Sequence, residues 1–403
     1  MDIIIRNGMI YERGEVMDLG IMDGKIVHLA SHIKEKAREE IYATGCIVAP
    51  GFVDPHVHMD KCLTMDRARN EGEVRTLADM IRVQRRMKKA FTVEDVKARA
   101  IAVARMAVAN GTTSTRTYVE ADPIVEYRAV EGVLAAKEAC RAILDIQTIA
   151  FPQEGWLANA DDWELESKPF VIHAMELGLD AVGGNVNRAV WDSDPEKQVD
   201  DLFECARKHD ADIAMHLDNA YNAVAFTLPY VAKKAMECGY QGRVSVDHIV
   251  SLALVPDRVA HQAIDLVREA RLNVCVLPTV IRLTRVAELM EAGVNVMLGT
   301  DNLRDGFTHI GHGDADMLKS MLLLSQVLNF GFEDEMERVF QAGTYNAAKG
   351  MRIAEGYGIA EGNRADIVVL EAASINDAIS RIARRRAVVK GGRLVAQNGT
   401  LQA

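Results

Sequence analysis

The stretch GFVDPHVHMDK, residues 51–61, sets His56 and His58 two apart at the end of an apolar run, with Lys61 close behind. In a β-strand residues i and i+2 point the same way, so both imidazoles could grip one ion. Three more β-branched segments end on a side chain of similar chemistry: IAMHLDN carries His216, VSVDH carries His248 and VMLGTDN carries Asp301. Imidazole suits zinc or ferrous iron, and a carboxylate completes such a set while leaving a position for water. A divalent ion lowers the pKa of bound water from 15.7 towards ~7, which makes hydroxide available at neutral pH. Asp301 could then accept a proton as hydroxide attacks an electron-poor centre, and pass it to the leaving group. The plainer alternative for Asp301 is a cap on a helix starting in TDNLRD.

Such a group needs a frame that brings distant strand ends together. From Pro50 onward, short β-branched runs at 51–58, 112–119, 144–151, 180–184, 211–216, 243–248, 272–278 and 294–301 alternate with amphipathic helical stretches. That alternation marks a parallel sheet with crossover helices. Eight units over about 250 residues suit an α/β fold of the (β/α)8 TIM-barrel type, whose chemistry sits at the carboxyl ends of the strands. Helices are expected at 93–111, stopped by Gly111, at 199–210, and at 314–327 and 333–342. Both ends of the chain have strand character, with turn signals at Asp23-Gly24 and Gly391-Gly392. The expected division is a barrel over 51–351 and a small β-sandwich domain assembled from 1–50 and 352–403.

His-x-His on the first strand, single histidines on the fifth and sixth and an aspartate on the eighth resemble the amidohydrolase superfamily. The resemblance covers nearly the whole chain, from VAPGFVDPHVHMD to GYGIAEGNRADIVVL. TSTRTYVEAD, LDIQTIAFPQEG and LGTDNLRD are similar to the cytosine deaminase and N-isopropylammelide isopropylaminohydrolase-like subgroup. The resemblance implies a hydrolase that removes an amino or alkylamino group from a pyrimidine, triazine or pterin type heterocycle. It implies one divalent ion, zinc or iron, and no carboxylated lysine, and DAVGGNVN on the fourth strand offers none. The ligands it implies are His56, His58, His216 and Asp301, with His248 in or beside that set and against the developing oxyanion. Lys61 would hydrogen-bond a ring carbonyl or stabilise an anionic substrate; a lysine snorkelling from a surface loop is the alternative. Gln153 matches the residue that reads ring amide edges, and Trp156 beyond it either stacks on the ring or fills the core. Arg116 either orients carboxylates near the site or makes a structural pair, and His309 and His312 fall on the loop after the eighth strand.

Two positions depart from cytosine deaminases. HLDN puts Asn219 where they carry a proton-shuttling glutamate, and an amide cannot exchange protons as a carboxylate does, which argues against cytosine. Asn302 stands where they have a second aspartate. Two other readings compete. A hydrolase that opens cyclic amide rings would generally carry the bridging lysine absent here, and a metal-retaining protein without catalysis would have no need of Asp301.

The net charge of −11, from 47 Lys and Arg against 58 Asp and Glu, excludes a broad polyanion-binding face, so nucleic acid is not expected as a partner. No apolar run reaches the ~18 residues of a membrane span, and MDIIIRNGMIYERGEV lacks the layout of a secretory signal, so no membrane partner and a cytoplasmic location are expected. The six cysteines show no C-x-x-C spacing, which removes zinc ribbons and the cysteine-ligated zinc deaminases and leaves reduced, mostly buried thiols. The expected partner is a small heterocyclic molecule, and a homo-oligomer is compatible with this composition.

Overall fold

The computed structural model describes residues 1–68, 77–160, 163–187, 194–219, 226–278, 282–306 and 313–402. Eight parallel strands follow one another in chain order: Phe52–Val57, Thr112–Glu120, Asp145–Phe151, Ala181–Val186, Asp212–Leu217, Val244–His248, Asn273–Val276 and Asn295–Leu298. They lie where the β-branched runs are expected. Almost every residue in them is buried, because helices cover one face and the barrel interior takes the other. Val119, Ala150, Val182 and Ile213 face the helical layer, while Tyr118, Ile149, Phe151, Ala181 and Ala214 pack together inside.

First and last strands meet at a seam. Val57 bridges Asp301, whose backbone N–H donates to the His56 carbonyl at 2.8 Å. The buried Asp54 carboxylate accepts from Thr300 N at 3.1 Å, Thr300 Oγ1 at 2.5 Å and His56 N at 3.2 Å. Because Asp54 binds both sides of the seam, it fixes the loop that carries Asp301 against the strand that carries His56.

The helices show why ends are harder to place than centres. Val93–Ala109 is capped by Thr92, which accepts from Asp95 N, and the chain leaves it through Asn110 and Gly111 at φ 95°. Pro195–His209 starts earlier than the apolar pattern at Val199, because Asp194 caps it through Lys197 N and Pro195 suits a first turn. Met317–Leu328 starts later than expected, at the Asp316 cap, and Glu333–Ala342 lies where the pattern puts it. A hairpin of Leu157–Ala160 and Trp163–Glu166 after the third barrel strand has no counterpart in the sequence pattern.

Both chain ends share one nine-stranded sheet. Ile47–Pro50 pairs antiparallel with Ile367–Leu370, joining the two terminal segments directly. Asp23-Gly24 and Gly391-Gly392 turn two of its hairpins with positive φ at both positions, as a two-residue type I′ turn requires. Ile5, Ile10, Leu19, Ile367 and Val389 belong to a core of its own, separate from that of the barrel. The cysteines are free thiols, all buried but the half-buried Cys238. Among the described residues no helix is long and apolar enough to cross a membrane.

Candidate active site

His56, His58, His216, His248 and Asp301 converge at the carboxyl ends of strands one, five, six and eight. His56 Nε2 lies 3.0 Å from His216 Nε2 and 3.3 Å from Asp301 Oδ1, and His58 Nε2 lies 3.5 Å from the same oxygen. The His248 ring centroid is 4.8 Å from that of His216. His248 and Asp301 hold φ of 68° and 60°, left-handed values that cost free energy for residues with a Cβ, at the point where each strand turns out of the barrel.

The donor set fits a cation. Both Asp301 oxygens are buried and accept no hydrogen bond, an arrangement too costly for a carboxylate without a positive partner. The His56 and His216 Nε2 atoms, 3.0 Å apart, could both turn lone pairs to such an ion. A tetrahedral zinc with bonds of about 2.0–2.1 Å would space its ligand atoms by about 3.3 Å, close to the separations here. Carboxylate caps bond backbone N–H groups, and Asp301 bonds none, so the helix-cap alternative fails.

The surroundings prepare these groups. His56 Nδ1 lies 2.9 Å from Asp247 Oδ2, so it donates its proton there and leaves Nε2 for the cluster. The Tyr118 hydroxyl donates to the same oxygen, and its ring stacks on His216 with centroids 4.7 Å apart. Burial pushes His58 and His216 well below the usual imidazole range, helped by the positive groups around them, and takes His248 to about 4 despite Asp301. Burial would lower His56 too, but the Asp247 carboxylate reverses the direction. For Asp301 burial acts upward, and His56, His248 and Lys61 together outweigh it, keeping the carboxyl below its ordinary value. Uncharged His58, His216 and His248 and an ionised Asp301 are forms that bind a metal, and His56 would give up its Nε2 proton to join them. Removing the support should show in affinity: Asp247→Asn is expected to weaken metal binding by about 10–100-fold, read by competition with a chelator.

Lys61 is buried, against the surface-loop alternative, and its Nζ donates to Gln153 Oε1 at 2.5 Å. Asn219 Oδ1 accepts from Asn187 Nδ2, which leaves the Asn219 amide group as a donor. Asn302 is buried beside Asp301 in the chain, and its Oδ1 accepts no hydrogen bond. Trp156 does not join them. Its indole N–H donates to the Gly183 carbonyl at 2.9 Å, and a Cβ on Gly184 would stand 3.2 Å from its ring. Gly184 lies between Val182 and Val186 on the helix-facing side of the fourth strand, so Trp156 takes the core role. Arg116 is likewise structural, bonding Gln147 Oε1, Ser245 Oγ and the Gly350 carbonyl. His309 and His312 lie outside the described residues.

A second buried group adjoins Lys61. Lys88, the last residue of helix Leu77–Lys88, donates to Glu120 Oε2 and Glu154 Oε2 at 2.7 Å each and to Asp122. The three carboxyls could by composition hold a metal, but the Lys88 ammonium already stands among them. Burial pushes Glu120 up to about 8 against the pull of Lys88 and then Lys61.

A family model described as "Amidohydrolase family" matches residues 75–396. N-isopropylammelide isopropyl amidohydrolase of Pseudomonas sp. (strain ADP) is 33% identical over 406 residues, covering 100% of this chain and 99% of that one. The chain belongs to the amidohydrolase family. It is a hydrolase acting on carbon–nitrogen bonds. The crystal structure of N-isopropylammelide isopropylaminohydrolase from Burkholderia multivorans superposes on this amidohydrolase with a TM-score of 0.87 at 28% identity, covering 100% of both chains. That of 5-methylcytosine deaminase from Klebsiella pneumoniae, with 5-fluorocytosine, gives 0.89 at 24% identity over 99% of this chain and 98% of that one, a likeness of fold.

Asp247, Tyr118, Lys88 and Glu120 escape a reading of the sequence. Asp247 carries one usable signal: two residues after Ser245 on the sixth strand, it shares the interior face of an apolar run, where a carboxylate needs a partner.

Proposed function

We propose that this amidohydrolase removes an amino or alkylamino group from a nitrogen heterocycle of pyrimidine, triazine or pterin type. The observation that carries the reading is the pair of buried, unbonded Asp301 oxygens among imidazole nitrogens at the strand ends. His56, His58, His216 and Asp301 would hold one divalent ion, zinc or iron, with His248 beside them. Bound there, the ion would polarise the substrate and make water nucleophilic at neutral pH. Asp301 takes the proton of the attacking water and gives it to the departing nitrogen, His248 stands at the oxygen where negative charge develops, and Asp247 keeps His56 in the tautomer the ion requires. Lys61 and the Gln153 amide bond the ring carbonyls, and Asn219 and Asn302 complete the polar wall. On this reading 51–351 is the catalytic barrel, and 1–50 with 352–403 the small β domain.

Ring opening is the less favoured chemistry. The fourth strand ends in Asn185 and Val186, followed by Asn187, with no lysine for a carboxylate bridge. A screen of aminated pyrimidines, triazines, pterins and hydantoins with metal-analysed enzyme decides the matter: release of ammonia or alkylamine is expected, and hydantoin opening without amine release would overturn the proposal. Cytosine is expected to be poor in that screen because the Asn219 amide cannot take up and release a proton as a carboxylate does. A kcat/KM for cytosine of roughly 10⁵ M⁻¹s⁻¹ or more would remove that restriction.

A further inference from the structure

We propose that Glu120, anchored by Lys88, is a positioning residue that holds the Lys61 ammonium in the active site; this rests on the reading that Lys61 faces the substrate. Glu120 comes off the end of the second barrel strand with one carboxyl oxygen towards each of two lysines. Oε2 accepts from Lys88 Nζ at 2.7 Å, and Oε1 lies 3.9 Å from Lys61 Nζ. Lys61 in turn donates to Gln153, so its head group lies between a carboxyl and an amide oxygen. The Glu120 backbone N–H donates to Asp60 Oδ2 at 2.9 Å, tying the residue next to Lys61 to the same strand end. Glu120 therefore ties down the loop through its N–H and sets its second carboxyl oxygen beside the head group of Lys61.

Stability alone does not account for such an arrangement. Taking charged groups out of water is costly, and well-packed apolar side chains commonly fill the same space as stably or better. Lys61, Lys88, Glu120, Asp122 and Glu154 are nonetheless all buried. Three carboxyls surround the one ammonium of Lys88, and Lys61 is a second cation in reach of Glu120. A lysine on its flexible four-carbon stem has no preferred direction of its own, so a fixed acceptor must supply one. Only a carboxyl can turn an oxygen to each lysine, because an amide has one.

The test uses the full-length, metal-loaded protein with Glu120→Gln, Glu120→Asp, Lys61→Met and the Glu120→Gln/Lys61→Met pair. With the best substrate from the screen above, Glu120→Gln is expected to lower kcat by about 10–100-fold, the scale of a small misplacement at a reacting centre. In the Lys61→Met background the same change should have no further effect, whereas a merely structural Glu120 would give additive losses and overturn the proposal. Glu120→Asp keeps both oxygens and guards against a fold that does not tolerate the amide. The second measurement needs no turnover. The Lys61 ¹³Cε resonance, identified by its loss in Lys61→Met, is expected to move in Glu120→Gln and Glu120→Asp, and an unmoved signal in both would sink the idea. A screen without turnover defeats the proposed function, and the resonance still decides the role of Glu120.

Discussion

Asp301→Asn is expected to lower kcat by about 10²–10⁴-fold, the usual contribution of a positioned acid–base group, while the protein keeps its fold and much of its metal. Asparagine still offers a carbonyl oxygen to an ion, but it cannot take a proton from water. Occupancy and rate should therefore separate in this one variant. The substitution preserves volume at a fully packed position and removes an ionised group whose oxygens make no hydrogen bond, so the melting temperature should change little. Measuring kcat, bound metal and melting temperature together gives the answer, and a fully active, metal-replete variant would end the proposed role.

Removing two imidazoles strikes the ion itself. His56→Ala/His58→Ala protein is expected to retain no tightly bound transition metal and no hydrolase activity. Loss of a supporting carboxylate such as Asp247 should cost about 10–100-fold in affinity, so loss of two direct ligands must cost more. On the proposed ligand set only His216 and Asp301 would remain, with His248 beside them, too few to hold an ion tightly. Elemental analysis after gel filtration checks this, and one ion still bound per chain would show that the metal lies elsewhere.

The strand ends that carry this chemistry could be read from sequence because their signals are local. Period-two patterning fixes which face a residue takes, and His56 and His58 share one face by spacing alone. Asp23-Gly24 and Gly391-Gly392 mark their turns by the same short-range logic. What eluded the sequence depends on register between strands far apart in the chain. Asp247 meets His56 across 191 residues, and nothing near either position announces the pairing. Lys88 sits in QRRMKK, a charge run that suggests a solvated helix end, and only the packing of helix Leu77–Lys88 turns this one lysine inward. Trp156 follows the FPQEG turn, where strand alternation no longer tells which side a ring takes. It went to the helix layer, one residue type among several that could have filled the same space.

The seam between Asp54 and Thr300 also sets the order in which the molecule can become itself. Those residues are 246 positions apart, so a ribosome adding about 5–20 residues per second makes the second roughly 10–50 s after the first. For that interval His56 and His58 exist without Asp301, and Ile47–Pro50 waits still longer for Ile367–Leu370 to reach it. A nascent chain cannot hold the ion through the full ligand set. On the proposed ligand set, capture of an ion would belong to the completed polypeptide, and an ion held by His56 and Asp301 on both sides of the seam would act as a latch: binding only the closed ring, it would oppose reopening there.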